Sequence, residues 1–535
     1  MNGTITRNDS ARIAVNSLSA LSNLNWQGPA NSIVSETDAM RPLLRQIEKD
    51  IFAFSVEGAL GLSAEGGIVV GGDFPFVTLI PRLLAQDLGS ARFKATYGTQ
   101  YALYGGAMAN GISSEQMVIE MGRAGMMASF GAGGLLPARI EDAIVKIKAA
   151  LPNSPYLFNL LNSPYEPLLE KRAVDLYLKH GIQVIEASAY LGMTRGLVRY
   201  RASGLSVDQQ GAVVIGNRII AKVSRKEVAR HFLSPAPQDM LNKLVEDGEI
   251  TTQQAELARL VPMADDITVE ADSGGHTDNR PLISLVPVML AYRDSLQEKF
   301  NYAEPVRIGA GGGISTPASA LAAFMMGADY LVTGSINQAC VESGASDEVR
   351  AMLAQAEMTD VIMAPASDMF EMGVKVQVLK RGTLFPMRAG KLFELYNRYN
   401  SIEELPDSER ENLEKKIFQR NLDEVWVETV SFFKERDPRQ IEKAEQDPHY
   451  KMALIFRWYL GLSSRWAARA EASRKMDYQI WCGPSMGAFN DWARGTRFEQ
   501  LENRKVADVN RTILVECAYL TRLEMLKMQG VNLQG

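Results

Sequence analysis

The stretch EADSGGHTDNR, from Glu270 to Arg280, sets one of the chain's four histidines, His276, directly after two glycines and ahead of a polar run. Imidazole exchanges a proton near neutral pH, and glycines before it let the backbone approach a flat ring. The pattern therefore points to proton donation beside a planar group. The same residues also read as a loop histidine that holds its turn together through Asp278. His180, His231 and His449 lack such surroundings and read as structural or solvated.

Two further runs could hold an anion. In GAGGGIST, Gly309, Gly311, Gly312 and Gly313 leave backbone N–H groups free to converge, and Thr316 with Pro317 reads as the start of a helix whose positive end faces the same place. In TGSIN, Gly334 and Ser335 would form the second half of the cradle. A phosphate held there, beside the small residues of GGAMANG, suits a flat cofactor, and flavin mononucleotide (FMN) fits. No G-x-G-x-x-G follows the first strand of a βαβ unit, so no separate dinucleotide domain is implied. Lys222 reads either as a cation beside the flavin N1 and C2 carbonyl or as the partner of a neighbouring carboxylate such as Glu186. Asn159 reads as an amide at the ring edge or as a satisfied core amide.

These residues need a scaffold that brings them to one face. From about Tyr101 a beat sets in of short apolar run, small or glycine punctuation and amphipathic segment. The apolar runs fall at 101–108, 126–134, 156–162, 182–190, 217–224, 266–275, 306–313 and 329–335. Eight repeated β/α units close most economically as a (β/α)8 barrel, an α/β fold whose chemistry sits at the carboxy ends of the strands and whose phosphate site follows strands seven and eight. His276 is then expected at the end of strand six. The expected organisation is a leader subdomain over 1–95, the barrel over 96–345 with insertions at 191–216 and 233–265, and a mainly helical region over 346–535. In that last region Ser401 with Glu404 reads as a capping box.

Composition narrows the function classes. With 46% hydrophobic and 22% charged residues and a formal net charge of -6, the chain reads as a globular protein with no nucleic-acid partner. The amino terminus shows no signal-peptide core and no run suits a membrane span, so a cytoplasmic location is expected. Cys340, Cys482 and Cys517 are too scattered for a disulfide framework or zinc site and read as buried thiols. SSRWAARAEASRKMDY offers a local basic surface in Arg465, Arg469, Arg474 and Lys475.

Together GGAMANGI, EADSGGHTDNRP, GAGGGI, ALAAFMMGADYLVTGSINQACVE and WYLGLSSRW resemble the PfaD-type flavoproteins, the trans-acting enoyl reductases of polyunsaturated fatty acid and polyketide synthases. These are a branch of the 2-nitropropane dioxygenase (nitronate monooxygenase) superfamily. The resemblance runs from about Tyr101 to the carboxy terminus, including DYQIWCGPSMGAFNDW, and is weak over the first ninety or so residues. It implies an FMN barrel that takes hydride from NADPH and reduces the α,β double bond of an enoyl thioester on an acyl carrier protein. By motif position it implies that Gly311, Gly312, Gly313, Gly334 and Ser335 hold the FMN phosphate. Ala107, Met108, Asn159, Lys222, Gly274 and Gly275 would line the flavin, and His276 would bind the thioester carbonyl or donate the proton. A nitronate monooxygenase and a noncatalytic docking component of a synthase are the alternatives, and a homodimer stays open.

Overall fold

The computed structural model describes residues 23–162, 164 and 167–531. Residues 1–22, on which the reading of the amino terminus chiefly rests, lie outside the described residues. The chain forms two compact units, and neither is one continuous segment: 1–91 group with 317–325 and 510–535, while 92–316 and 326–509 form the other.

In the smaller unit a five-stranded antiparallel sheet runs in the order Ala59–Ser63, Ile51–Val56, Phe74–Ile80, Leu24–Gln27, Gly67–Val70. Glu57 and Gly58 both take positive φ in the two-residue turn between Val56 and Ala59, the backbone twist that a tight hairpin needs. Trp26 is fully buried and stacks on Phe54 at 4.2 Å between ring centroids. Arg522, also fully buried, donates to the carbonyls of Gln46 and Lys49 at 2.8 Å and of Leu44 at 3.2 Å. Its guanidinium thus satisfies backbone acceptors that no strand pairs.

The larger unit contains a closed parallel barrel of eight strands: β1 (Leu103–Gly105), β2 (Met127–Phe130), β3 (Leu157–Leu161), β4 (Val184–Ser188), β5 (Arg218–Val223), β6 (Asp266–Glu270), β7 (Arg307–Gly311) and β8 (Leu331–Thr333). Each lies inside one of the eight apolar runs, because strands covered on both faces carry continuous rather than alternating hydrophobicity. The stretch 191–216 supplies the helix after β4, Arg195–Ser203, and then a small hairpin of Leu205–Val207 with Val213–Ile215. The stretch 233–265 contributes the helices Gln238–Glu246 and Thr252–Leu257. Arg201 ties both stretches down, donating to Asp265 at 2.7 Å and to the carbonyls of Asn217 and Pro262.

Inside the barrel Thr268 bonds the hydroxyls of Tyr104 at 3.1 Å and Tyr330 at 3.0 Å. Near the start of β6 and β7 a fully buried Asp266 receives two hydrogen bonds from Arg307, at 2.6 and 2.7 Å, and one from the Tyr97 hydroxyl.

The carboxy-terminal stretch expected to be mainly helical also builds a sheet. Lys375–Leu379 pairs with Val361–Pro365 on one side and with the two-residue strand Gly275–His276 on the other, all antiparallel. Helices follow, including α1 (Leu422–Arg436) and α2 (Pro448–Ala468), around a core containing Phe370, Leu392, Phe456 and Tyr459. Ser401 and Glu404 do not open a helix. The Ser401 hydroxyl accepts from the Glu404 N–H at 3.2 Å, but the Glu404 carboxylate takes the Asn400 N–H, and helix begins only at Asp407, after Pro406. Proline disfavours helical geometry in the residue before it, which ends the capping box as a turn.

All three cysteines are free and buried. Among the described residues no helix is long and apolar enough to cross a membrane. Asp266→Ala leaves the Arg307 cation buried without its counter-charge and should cost about 3–5 kcal/mol, read as a lowered urea midpoint. Asp266→Ala with Arg307→Met should recover most of the loss; a single variant as stable as the parent would contradict the pairing.

Candidate functional site

The carboxy ends of the barrel strands open into a cavity of about 540 Å³, closed on its far side by side chains of α1 and α2. Every residue that the resemblance assigns to the cofactor or to catalysis lines it. Ala107 and Met108 follow β1, Asn159 lies in β3, Lys222 in β5, and Gly274, Gly275 and His276 follow β6. Gly311 ends β7 with Gly312 and Gly313 behind it, and Gly334 and Ser335 follow β8. Gly309 does not join them. It sits within β7, where an added Cβ would lie 2.2 Å from the Tyr330 ring, so this glycine makes room for an aromatic packed below the mouth.

The cavity floor carries a charge cluster. Lys222 Nζ lies 2.8 Å from Glu270 Oε1 and 3.4 Å from Glu186 Oε1, and Glu186 is fully buried. Burial raises the Glu186 pKa against the pull of Lys222 and the Ala107 N–H. For Lys222 burial acts against the charge, but Glu270 and Glu186 outweigh it and hold the ammonium protonated. The lysine is therefore both paired with barrel carboxylates and exposed to the cavity. The Ala107 N–H is spent on Glu186 Oε2 at 3.0 Å, and the Asn159 amide donates to the Glu186 carbonyl at 3.1 Å and to Ser188 Oγ at 3.0 Å. One polar layer thus locks β1, β3, β4, β5 and β6 together at the mouth.

His276 is not at the end of strand six. Strand β6 stops at Glu270, and the chain turns through Asp272 to Gly275 before His276 pairs with Val376. Gly275 has φ +80°, and a Cβ on Gly274 would fall 2.9 Å from the Cys482 nitrogen, so glycine is needed at both positions. Gln377 braces the turn, its amide donating to Asp272 Oδ1 and to the Ser273 carbonyl, each at 2.8 Å. The imidazole Nε2 lies 3.1 Å from Asp368 Oδ1. Burial works against the charged ring, but the charge and hydrogen bond of Asp368, with Glu270, raise the His276 pKa above its ordinary value. Asp278 plays no part in this. Its carboxylate binds Arg225 and Ser224, and the Arg225 hydrogen bonds foremost hold its pKa down at about 2, so it has no proton to give near neutral pH.

The glycine loops fit a phosphate-bearing planar group. Gly312 and Gly313 take φ of +79° and +84°, which expose consecutive N–H groups. A Cβ on Gly312 would come within 2.9 Å of the Ala271 backbone, whereas nothing lies within 4 Å of a Cβ built on Gly313 or Gly334. That open space, in a cavity of a size ordinary for small-molecule sites, is what an approaching phosphate requires.

Several lining groups are not among the cofactor or catalytic candidates. Asp368 comes from the stretch where the β/α beat has stopped, and Phe432, Arg457, Trp458 and Arg465 come from α1 and α2. Arg465 lies with its guanidinium carbon 5.6 Å from the Phe432 ring centre, in the cavity wall. The basic stretch read from the sequence is not one surface. Arg474 is buried and spent on Asp477 and the carbonyls of Ile417 and Phe418, and Lys475 pairs with Glu348. Arg469 is exposed at the end of α2.

A family model described as the inserted helical domain of [acyl-carrier-protein] S-malonyltransferase matches residues 399–478, the stretch that contains α1 and α2. The chain is 51% identical over 457 residues to a polyunsaturated fatty acid synthase component of Thraustochytrium sp., covering 84% of this chain and 30% of that protein. It is 48% identical over 447 residues to the polyketide biosynthesis protein PksE of Bacillus subtilis, covering 83% of this chain and 58% of that protein. The chain thus spans less than two thirds of these curated relatives. Among solved structures, the enoyl reductase domain of MlnA, from the macrolactin biosynthesis cluster of Bacillus amyloliquefaciens, is 42% identical with a TM-score of 0.79, over 83% of this chain and 99% of that one. This likeness, at 42% identity over nearly the whole of a solved domain, means that the chain belongs to the PfaD-type enoyl reductase family.

Proposed function

We propose that the chain is an FMN-dependent enoyl-[acyl carrier protein] reductase that uses NADPH to saturate the α,β double bond of enoyl thioesters in polyketide or polyunsaturated fatty acid biosynthesis. The observation that carries this reading is that His276, held against Asp368, lines the same cavity as a pair of open glycine loops. Names among the relatives support the pathway: a polyunsaturated fatty acid synthase component, a polyketide biosynthesis protein and an enoyl reductase domain. The carrier protein is the partner this reading requires, since the acyl chain reaches a separate reductase as a thioester.

Gly311, Gly312, Gly313, Gly334 and Ser335 would hold the FMN phosphate, and Ala107, Met108, Asn159, Lys222, Gly274 and Gly275 would border its ring. Bound there, the flavin would supply hydride chemistry. The protein's own contribution is charge. Lys222, held protonated between Glu186 and Glu270, places a fixed positive charge where a reduced ring would carry negative charge. His276 would place an acidic N–H at the thioester carbonyl or the α-carbon, where negative charge develops once the β-carbon has received hydride. Phe432, Phe433 and Leu454 would add apolar surface to the cavity wall, beside Arg436, Arg457 and Arg465.

Two variants separate cofactor binding from chemistry. A Cβ on Gly334 meets no protein atom within 4 Å, so Gly334→Val should keep the parent's melting temperature but lose most of its FMN, measured as flavin absorbance released on denaturation. A yellow variant with full FMN would place the phosphate elsewhere. His276→Ala should retain FMN and still be bleached by NADPH in stopped flow, while reoxidation by an enoyl thioester slows by roughly two to four orders of magnitude. Reoxidation at the parent's rate would remove His276 from the reaction.

A further inference from the structure

We propose that Asp368 is the positioning residue of this site: its carboxylate holds the His276 ring by Nε2, so that the proton to be donated is carried on Nδ1. The inference rests on the reading of His276 as the acid.

The local fold brings the two groups together. His276 sits opposite Val376, and Val376 sits opposite Ala364, so the three lie in one row across the small sheet. The Ala366 N–H donates to the Val374 carbonyl at 2.9 Å, continuing that register, and Asp368 follows two residues later. Its Oδ1 is 3.1 Å from Nε2, with both side chains about one third exposed, at 35% for His276 and 29% for Asp368. An ionised carboxylate only accepts, so the contact fixes hydrogen on Nε2. Asp368 is held ionised: burial opposes this, and the His276 charge and hydrogen bond outweigh burial, with Arg457 adding to them. Among the described residues Nδ1 has no hydrogen-bond partner.

A neutral imidazole with hydrogen on Nε2 would offer only a lone pair at Nδ1. The imidazolium that Asp368 favours offers an N–H there instead. The charges acting on the ring come from three elements, Lys222 on β5, Glu270 on β6 and Asp368 beyond Val361–Pro365, while Arg457 on α2, itself 3.1 Å from Glu371, acts on Asp368. Lys222 opposes the ring's charge and Glu270 supports it, and Asp368 is the strongest supporter.

With a raised pKa, the charged ring is complete at low pH and is lost as pH rises through that value. Asp368→Asn removes the carboxylate and leaves burial and Lys222, so the ring should lose its proton at lower pH than in the parent. The probe is the full chain labelled with ¹⁵N-histidine, whose four histidines are few enough to assign by the loss of one signal in His276→Ala. Asp368→Asn should move the His276 titration down and shift the alkaline limb of enoyl-thioester reduction to lower pH with it. At a pH above that limb kcat should fall by roughly tenfold or more with little change in KM, and Asp368→Glu should restore part of both effects. An unchanged His276 titration in Asp368→Asn overturns the proposal. A titration that moves while the reduction profile stays fixed keeps Asp368 as the holder of the ring and contradicts His276 as the acid, so the two failures are told apart.

Discussion

The site depends on the path of the chain between Ala271 and His276. A barrel strand aims its last side chains into the mouth directly, but His276 lies beyond β6 and needs outside support. Gly274 passes so close to the backbone of Cys482 that any side chain would collide with it, Gln377 clamps Asp272 and Ser273, and Gly275–His276 is stitched to Lys375–Leu379. The carboxy-terminal half of this unit is therefore part of the site: without the strand at Lys375–Leu379 and the segment at Cys482, the imidazole has no fixed direction.

Charge is arranged on two sides of the same cavity. On the floor, Lys222 stands between Glu186 and Glu270, and burial of Glu186 makes that pairing compulsory, because an unpaired ion there would cost several kcal/mol. At the rim, His276 stands against Asp368. Lys222 and His276 each have a carboxylate partner and line the cavity. The glycine loops after β7 and β8 complete the cavity with backbone N–H groups, the Ser335 side chain and open space at Gly313 and Gly334, which suits an anion better than a third fixed cation would, because little has to move aside.

The barrel was legible because its strands are buried on both faces, so each appears as a short apolar run. Eight such runs became eight strands in parallel order. His276, Lys222 and the glycine loops were legible because unusual residue types stand out at strand ends, and these residues line one cavity. Sequence patterns fell short where partners are distant. Asp368 is 92 positions from His276, in a segment without periodic signal, whereas the nearby Asp278, which spacing favoured, is occupied by Arg225. Gly309 looks like its neighbours in the glycine run, but it faces a tyrosine ring, which only the packing reveals. Local basic residues in the tail looked like a surface until burial of Arg474 and the cavity-facing Arg465 separated them.

The central claim is that this cavity reduces a carbon–carbon double bond with hydride from a pyridine nucleotide. The most direct measurement is anaerobic: purified protein with NADPH and a crotonyl thioester, following NADPH absorbance and the product by mass spectrometry. The account predicts one saturated thioester formed for each NADPH consumed, with no need for oxygen. NADPH left unconsumed with the thioester intact, while a nitroalkane is oxidised in air by the same preparation, would contradict it.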